Sequence, residues 1–294
     1  MNDLFHRFAV GSFECTSLCD GEKEYEISEI FAQAPADEAR SALRARGQRD
    51  DLVLTPYSYL HVDTGAHQIL VDAGAGTLFP TTGRLLDGMR RAEIDPAVID
   101  TLIITHAHPD HIGGLLREDG TPAFSNASCL MWRREWEFWH SDAERAHAAE
   151  KQRWFFDFAR KTLAPIRERV RLVDLDVESL SLFPGVSVLP APGHTPGHIV
   201  ALFASGKESL VYIGDTVISP IHLEHPDWTP VYDIAPSAAA ETKRRIFDSA
   251  ADHGTLVLGQ HFPPFPSIGG VVRRGAKWEW RPVAVGAQRV DTRM

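Results

Sequence analysis

Residues 106–111 read His-Ala-His-Pro-Asp-His, four potential metal ligands within six positions. Neutral imidazoles and a carboxylate suit Zn²⁺, and also Mn, Fe or Co. In extended backbone, side chains two positions apart point the same way, so His106 and His108 can share one ion. Pro109 imposes a turn, after which Asp110 and His111 can aim at a second ion beside the first. A single loop histidine is usually a solvated polar residue; four ligand types in one short run are not explained that way. Three further candidates each follow an apolar run: His194 in APGHTPGH, Asp215 in YIGDT and His261 in LGQHF. Taken singly each reads as a turn residue. Together they supply the groups that a two-metal site still lacks.

The elements that must position these residues are legible in outline. Residues 101–105 (TLIIT) form a short β-branched run ending at the histidine cluster, as a buried strand would. Residues 112–116 then begin a helix. Residues 54–62 and 67–71 read as two strands around the turn Thr64-Gly65-Ala66, and the second runs into the glycine-rich loop 72–76. Residues 8–19 alternate as one strand with a bend or bulge at Gly11. Residues 22–51 are an irregular arm with a short helix starting near Pro35 and Asp37, and residues 85–92 and 96–99 are helical turns. Residues 128–132 form a strand, and 133–169 are helical and rich in aromatics. Strands follow at 186–190, 199–204, 210–213 and 255–258. Residues 237–252 form a helix with Ser237 as N-cap and Gly254 past its end. Strands in both halves, flanking helices and no linker predict one domain over 1–294, in two αβ halves of roughly 1–175 and 176–294.

The chain has 294 residues, 44% hydrophobic and 24% charged, with a formal net charge of −10. That composition suits a globular protein with a sizeable core. Its basic residues are scattered in pairs, so a nucleic-acid partner is not expected. Cys15, Cys19 and Cys129 make no CxxC pair and read as buried apolar residues. No run approaches the ~20 apolar residues of a membrane span, and the first residues lack a signal-peptide core. A cytoplasmic enzyme without membrane contact is expected.

The ordered set THAHPDHIGGL (105–115), PGHTPGH (192–198), IGD (213–215) and GQH (259–261) resembles the metallo-β-lactamase superfamily. The resemblance runs from about residue 55 to 265. It implies an α+β fold, an αββα four-layer sandwich with two metals at the edge between two mixed sheets. By position it implies His106, His108 and His194 around one ion, Asp110, His111 and His261 around the other, and Asp215 bridging. Aspartate at 215 and histidine at 261 separate the chain from the true β-lactamases, which place a cysteine at one of these sites. The long insertion between His111 and His194, the opening FAVGSFECTSLCDG (8–21) and REWEFW (134–139) are similar to the branch of methyl parathion hydrolase and the quorum-quenching lactonases. Lactonases resembling the Bacillus enzyme carry a tyrosine three positions after the bridging aspartate. Here Ile218 stands there, and His222 is the candidate substitute, although a loop histidine is more often structural.

The function implied is a dinuclear-metal hydrolase. Two divalent ions, zinc first among them, would lower the pKa of a water toward neutral and so supply hydroxide. That hydroxide would attack an ester-like bond in a small neutral or hydrophobic substrate. A lactone is preferred, N-acyl-homoserine lactones included, with aryl ester or organophosphate activity alongside. Asp110 would also orient the nucleophile. His198 would support the ligands from behind, and Asp72 would hydrogen-bond a ligand histidine. One or two of Trp132, Trp136, Trp139, Phe155 and Phe156 would wall the pocket, although aromatics at helical spacing usually fill core. The same aromatic insertion would otherwise pack a homodimer. A glyoxalase II-type thioesterase is the alternative enzyme, but it calls for a basic cluster that is not evident here. A non-catalytic metal sensor would betray itself by a missing ligand, and all seven are present.

Overall fold

The two halves of the chain each build one sheet, strand after strand. The structure is a computed structural model and describes residues 4–175 and 179–283. The first sheet runs in the order β1 (Phe5–Val10), β2 (Phe13–Glu26), β3 (Leu52–Asp63), β4 (Gln68–Val71), β5 (Thr101–Ile103), β6 (Ser128–Trp132) and β7 (Val170–Val173). Pairing is antiparallel up to β4 and parallel from β4 to β7. The second sheet comprises β8 (Leu180–Phe183), β9 (Val186–Pro190), β10 (Ile199–Ser205), β11 (Glu208–Tyr212), β12 (Leu256–Leu258), β13 (Ile268–Arg274) and β14 (Lys277–Pro282), also in chain order. Only its β11–β12 pair is parallel. The expected division near residue 175 falls beside residues 176–178, which lie outside the described residues.

Alternation along the strands decides what each face buries. Leu60, Val62, Ile69, Val71 and Ile103 turn inward and meet Val188, Ile199, Phe203 and Leu258 of the other sheet in one buried cluster. Their neighbours Tyr57, Tyr59 and Leu70 turn outward beneath the helices. Nine helices are assigned among the described residues: α1 (Ile27–Ile30), α2 (Ala36–Ala45), α3 (Leu85–Arg91), α4 (Pro109–Ile112), α5 (Arg133–His140), α6 (Asp142–His147), α7 (Arg153–Leu163), α8 (Ile221–Glu224) and α9 (Pro236–His253). Helices α3, α5 and α7 cover the first sheet and α9 covers the second. The result is the expected helix–sheet–sheet–helix sandwich with mixed sheets. Each fully buried Leu, Ile or Val in it contributes about 1.5–3 kcal/mol.

Several local expectations are corrected. Gly11 is not a bulge inside one strand. It turns the chain between β1 and β2 at φ +58°, and a Cβ there would lie 2.3 Å from the Ser205 carbonyl oxygen. The arm begins as strand, because β2 continues to Glu26 paired with β3. The helix after His111 is short: α4 gives way to a 3₁₀ turn at Gly113–Leu115. Gly113 and Gly114 lie against the glycine-rich loop, where a Cβ would stand 2.3 Å from the Ala75 oxygen and 2.1 Å from the Ala73 oxygen. Helix α9 starts at Pro236 after Ala235 rather than on a Ser237 cap, while Gly254 ends it at φ +64° as read. The β13–β14 hairpin has no counterpart in the sequence reading. All three cysteines are buried. No helix among the described residues is long and apolar enough to cross a membrane.

Candidate metal centre

Loops leaving β5, β9, β11 and β12 converge at one end of the sandwich and carry all seven expected residues. His106 and His108 follow β5, and Asp110 and His111 lie in α4. His108 Nδ1 stands 3.0 Å from His106 Nε2 and 2.9 Å from His194 Nε2. Asp215, on a 3₁₀ turn after β11, brings Oδ2 to 3.2 Å from His194 Nε2. Its Oδ1 lies 3.3 Å from both His111 Nε2 and His261 Nε2. Asp110 Oδ2 completes the second group at 3.7 Å from His111 Nε2 and 3.4 Å from His261 Nε2. His106, His108, His194 and Asp215 form one group and Asp110, His111, Asp215 and His261 the other, with donor atoms of each within 4.8 Å of one another. Asp215 belongs to both.

The donor set fits divalent cations. His111 Nε2 and Asp215 Oδ1 are buried without a hydrogen-bond partner, a costly state unless something charged stands between them. The His108 nitrogen lies about 3 Å from those of both His106 and His194, close to the spacing of about 3.4 Å for nitrogens bound at ~2.0–2.1 Å to one tetrahedral Zn²⁺. Burial, then the neighbouring histidines, keeps His106 and His108 neutral, with His108 down at about 3. Burial also opposes charge on His194 and His261, but the Asp215 carboxylate and its neighbours outweigh it and lift both to about 9. Both groups therefore call for positive charge where their nitrogens and oxygens meet.

Behind the donors, a further layer fixes ring orientation. His111 Nδ1 lies 2.8 Å from Asp72 Oδ2, and Asp72 also accepts from the Thr105 N–H at 2.8 Å and hydroxyl at 2.7 Å. This is the role expected of Asp72, which holds φ +60° in the glycine-rich loop. His198 Nε2 accepts the Asp215 N–H at 3.1 Å and belongs to neither donor group. His194 Nδ1 is held by Asp233 at 2.8 Å and His261 Nδ1 by the Pro56 carbonyl at 3.1 Å. Glu135, fully buried on α5, accepts four bonds. One oxygen takes the Ala107 N–H (2.9 Å) and Trp139 Nε1–H (2.6 Å); the other takes the Thr195 hydroxyl (2.7 Å) and Gly197 N–H (3.0 Å). It thereby ties the His106–His108 loop to the His194 loop.

Sequence reasoning missed Glu135 and Asp233. A glutamate in a charged helix looks solvated, and its only local signal is Trp139 one turn on. Asp233 lies in a loop with no periodic signal. His222 requires correction as a catalytic candidate. It is fully buried in α8, its Nε2 meets the Ile30 carbonyl at 3.0 Å, and its ring packs 5.0 Å from Phe31. It does not line the cleft.

A cleft opens over the two groups and is lined at its floor by Asp110, Asp215, His108, His194 and His261. Ile218, Leu78, Phe79, Trp154 and Phe155 supply apolar walls, while Lys23, Tyr25 and Tyr232 add polar tips. Of the five aromatics considered, Phe155 reaches the cleft and packs 5.2 Å from His108, and Trp139 packs behind His108 at 5.4 Å. Trp132 and Phe156 are buried in the core, and Trp136 stacks on His140.

Comparison with known proteins identifies the family and the fold. The family model for the metallo-beta-lactamase superfamily matches residues 52–261, and the chain belongs to that superfamily. Among solved structures it is similar to AidC, a dizinc quorum-quenching lactonase in complex with its product N-hexanoyl-L-homoserine. The two share 27% identity with a TM-score of 0.90 over 97% of this chain and 99% of that one. The hydrolase AbOPH is similar to the same degree, at 27% identity and a TM-score of 0.89. An N-acyl homoserine lactonase of Bacillus cereus is 28% identical over 130 residues, which are 44% of this chain and 43% of that protein. The match thus spans less than half of that curated relative's length.

Proposed function

We propose that the protein is a dinuclear-metal hydrolase of lactones, with N-acyl-homoserine lactones as the preferred substrate and aryl esters or organophosphates as secondary ones. The observation that carries this reading is Asp215, whose two oxygens face two different groups of histidines at 3.2 and 3.3 Å. Zinc is the preferred ion, with Mn, Fe or Co as substitutes. His106, His108 and His194 would hold one ion, Asp110, His111 and His261 the second, and Asp215 both. The pair would supply Lewis-acid polarisation of the scissile carbonyl and a lowered pKa for a water. Asp110, with its side chain 16% exposed at the cleft floor, orients that water. Phe155, Trp154 and Ile218 exclude bulk water and receive an acyl chain. The likeness to AidC and the apolar walls support a neutral lactone over a nucleotide. In this reading the chain is a single domain, acts in the cytoplasm and pairs as a homodimer through its aromatic insertion, where Trp154 is partly exposed.

The test is metal analysis followed by hydrolysis of acyl-homoserine lactones, aryl esters, methyl parathion and S-lactoylglutathione. Two ions per chain and lactone turnover are expected. His108→Ala and Asp215→Ala should each reduce that turnover about 10³-fold or more, as several kcal/mol of transition-state stabilisation disappear. Uptake of one ion at most, or turnover of the thioester alone, overturns the proposal.

A further inference from the structure

One strand lining the cleft presents a hydroxyl whose proton no group among the described residues accepts. Beyond Gly21, β2 carries Lys23 and Tyr25, two positions apart and on one face, and both line the cleft above Asp110 and Asp215. The Lys23 ammonium lies 3.5 Å from the centre of the Tyr25 ring and 4.5 Å from that of Phe79, which holds the phenol in place. The Tyr25 hydroxyl touches that of Tyr57, whose ring stands edge-on to His261 at 4.8 Å. Tyr57 is fully buried and has no other hydroxyl partner among the described residues. A buried O–H left unpaired is costly, so Tyr57 donates and the Tyr25 oxygen accepts. The Tyr25 proton then remains free to point into the cleft.

The other neutral hydroxyls there are spent. Tyr232 donates to Glu29 at 2.9 Å, a carboxylate that can only accept. Thr55 donates to the Lys23 carbonyl at 2.9 Å. Burial first, then the Asp110 charge, pushes the Tyr25 phenol well above its ordinary range, so it keeps its proton at neutral pH.

We infer that Tyr25 is a catalytic residue that donates a hydrogen bond to the leaving oxygen of an ester or lactone as its acyl C–O bond breaks. The inference rests on the hydrolase reading above and deepens it. Water adds its oxygen to the acyl carbon, and the acyl C–O bond breaks with its electron pair passing to the leaving oxygen. One proton of the water ends on that oxygen and the other leaves the new acid as it becomes carboxylate. Tyr25 keeps its own proton throughout and stabilises the negative charge building on the leaving oxygen. Tyr57 is a positioning residue that fixes which way the phenol points.

Tyr25→Phe tests this, with N-hexanoyl-homoserine lactone, whose leaving alkoxide needs help, set against p-nitrophenyl hexanoate, whose phenolate does not. For the lactone, kcat should fall about 10²-fold with KM within about threefold, while the aryl ester loses less than about fivefold. Tyr57→Phe should show the same preference at about tenfold. Calorimetry with the product N-hexanoyl-homoserine gives a readout apart from turnover: Tyr25→Phe should weaken its binding about 5- to 10-fold while metal content stays unchanged. Equal losses on both esters, or unchanged product binding, overturn the role of Tyr25 and leave the hydrolase reading standing. A wild-type protein that turns over neither ester overturns both.

Discussion

Glu135→Gln isolates what the buried carboxylate contributes. In the native protein four donors converge on two oxygens that can only accept. Glutamine keeps one oxygen and replaces the other with an NH₂ that must face donors. Turned one way, it opposes the Ala107 and Trp139 N–H groups, neither of which can accept. Turned the other way, the Thr195 hydroxyl can rotate to accept, but the Gly197 N–H loses its partner. The milder arrangement forfeits at least one bond to a charged acceptor, about 1.5–3 kcal/mol, and weakens the remaining ones. A total of about 2–4 kcal/mol follows, which at ~2–4 °C per kcal/mol lowers the melting temperature by roughly 4–16 °C. Because Glu135 joins the loops of His106–His108 and His194, ion affinity should fall as well, by about 10-fold or more. Thermal melts and chelator competition on wild type and variant measure both quantities. A variant that melts within about 2 °C of wild type and holds its ions equally well would refute the account of Glu135 as the tie between the two loops.

Two more perturbations test neighbouring claims. His222→Ala should leave kcat and KM unchanged, because the ring lies outside the cleft, yet cost about 2–4 kcal/mol in stability through a cavity beside Phe31 and an unpaired Ile30 carbonyl; a selective loss of kcat would restore His222 as a catalytic group. Lys243, buried and donating to the Pro226 and Trp228 carbonyls, is pulled by burial from 10.5 down to about 8. Between pH 8 and 10.5 the unfolded chain therefore holds a proton that the folded chain has released, and stability should rise with pH across that window. Relative to Lys243→Met the rise is on the order of 3 kcal/mol, and a flat difference between the two denaturation curves would contradict it.

How much could be read in advance depends on where each residue's partners lie. The seven residues of the two candidate donor groups were legible because ligand chemistry is written in residue type, and the HxHxDH spacing brings four of them together locally. Strands β4 and β5 were legible because apolar β-branched runs bounded by turns have few other uses. The hairpin β13–β14 was not, since its buried face depends on Phe262 and α9 rather than on its own pattern. The short α4 escaped for a similar reason: Gly113 and Gly114 are small because residues 73–75, some forty positions earlier, pass against them. Apart from Trp139 one turn on, Glu135 is known only by partners 28 to 62 positions away, and Asp233 by His194, 39 positions away. His222 shows the reverse error, a residue type suited to catalysis that the fold uses as core.

The winding of each sheet from its own half of the chain has a consequence for survival of the protein as well as its chemistry. Four of the donors hang from the first sheet and three from the second, so a cation clasped among them rivets the two together. An ion present at 100 times its Kd adds about 2.7 kcal/mol to the folded state. Cells short of that metal would then lose the polypeptide itself to unfolding and proteolysis, and supply of the ion would govern abundance and turnover by a single equilibrium.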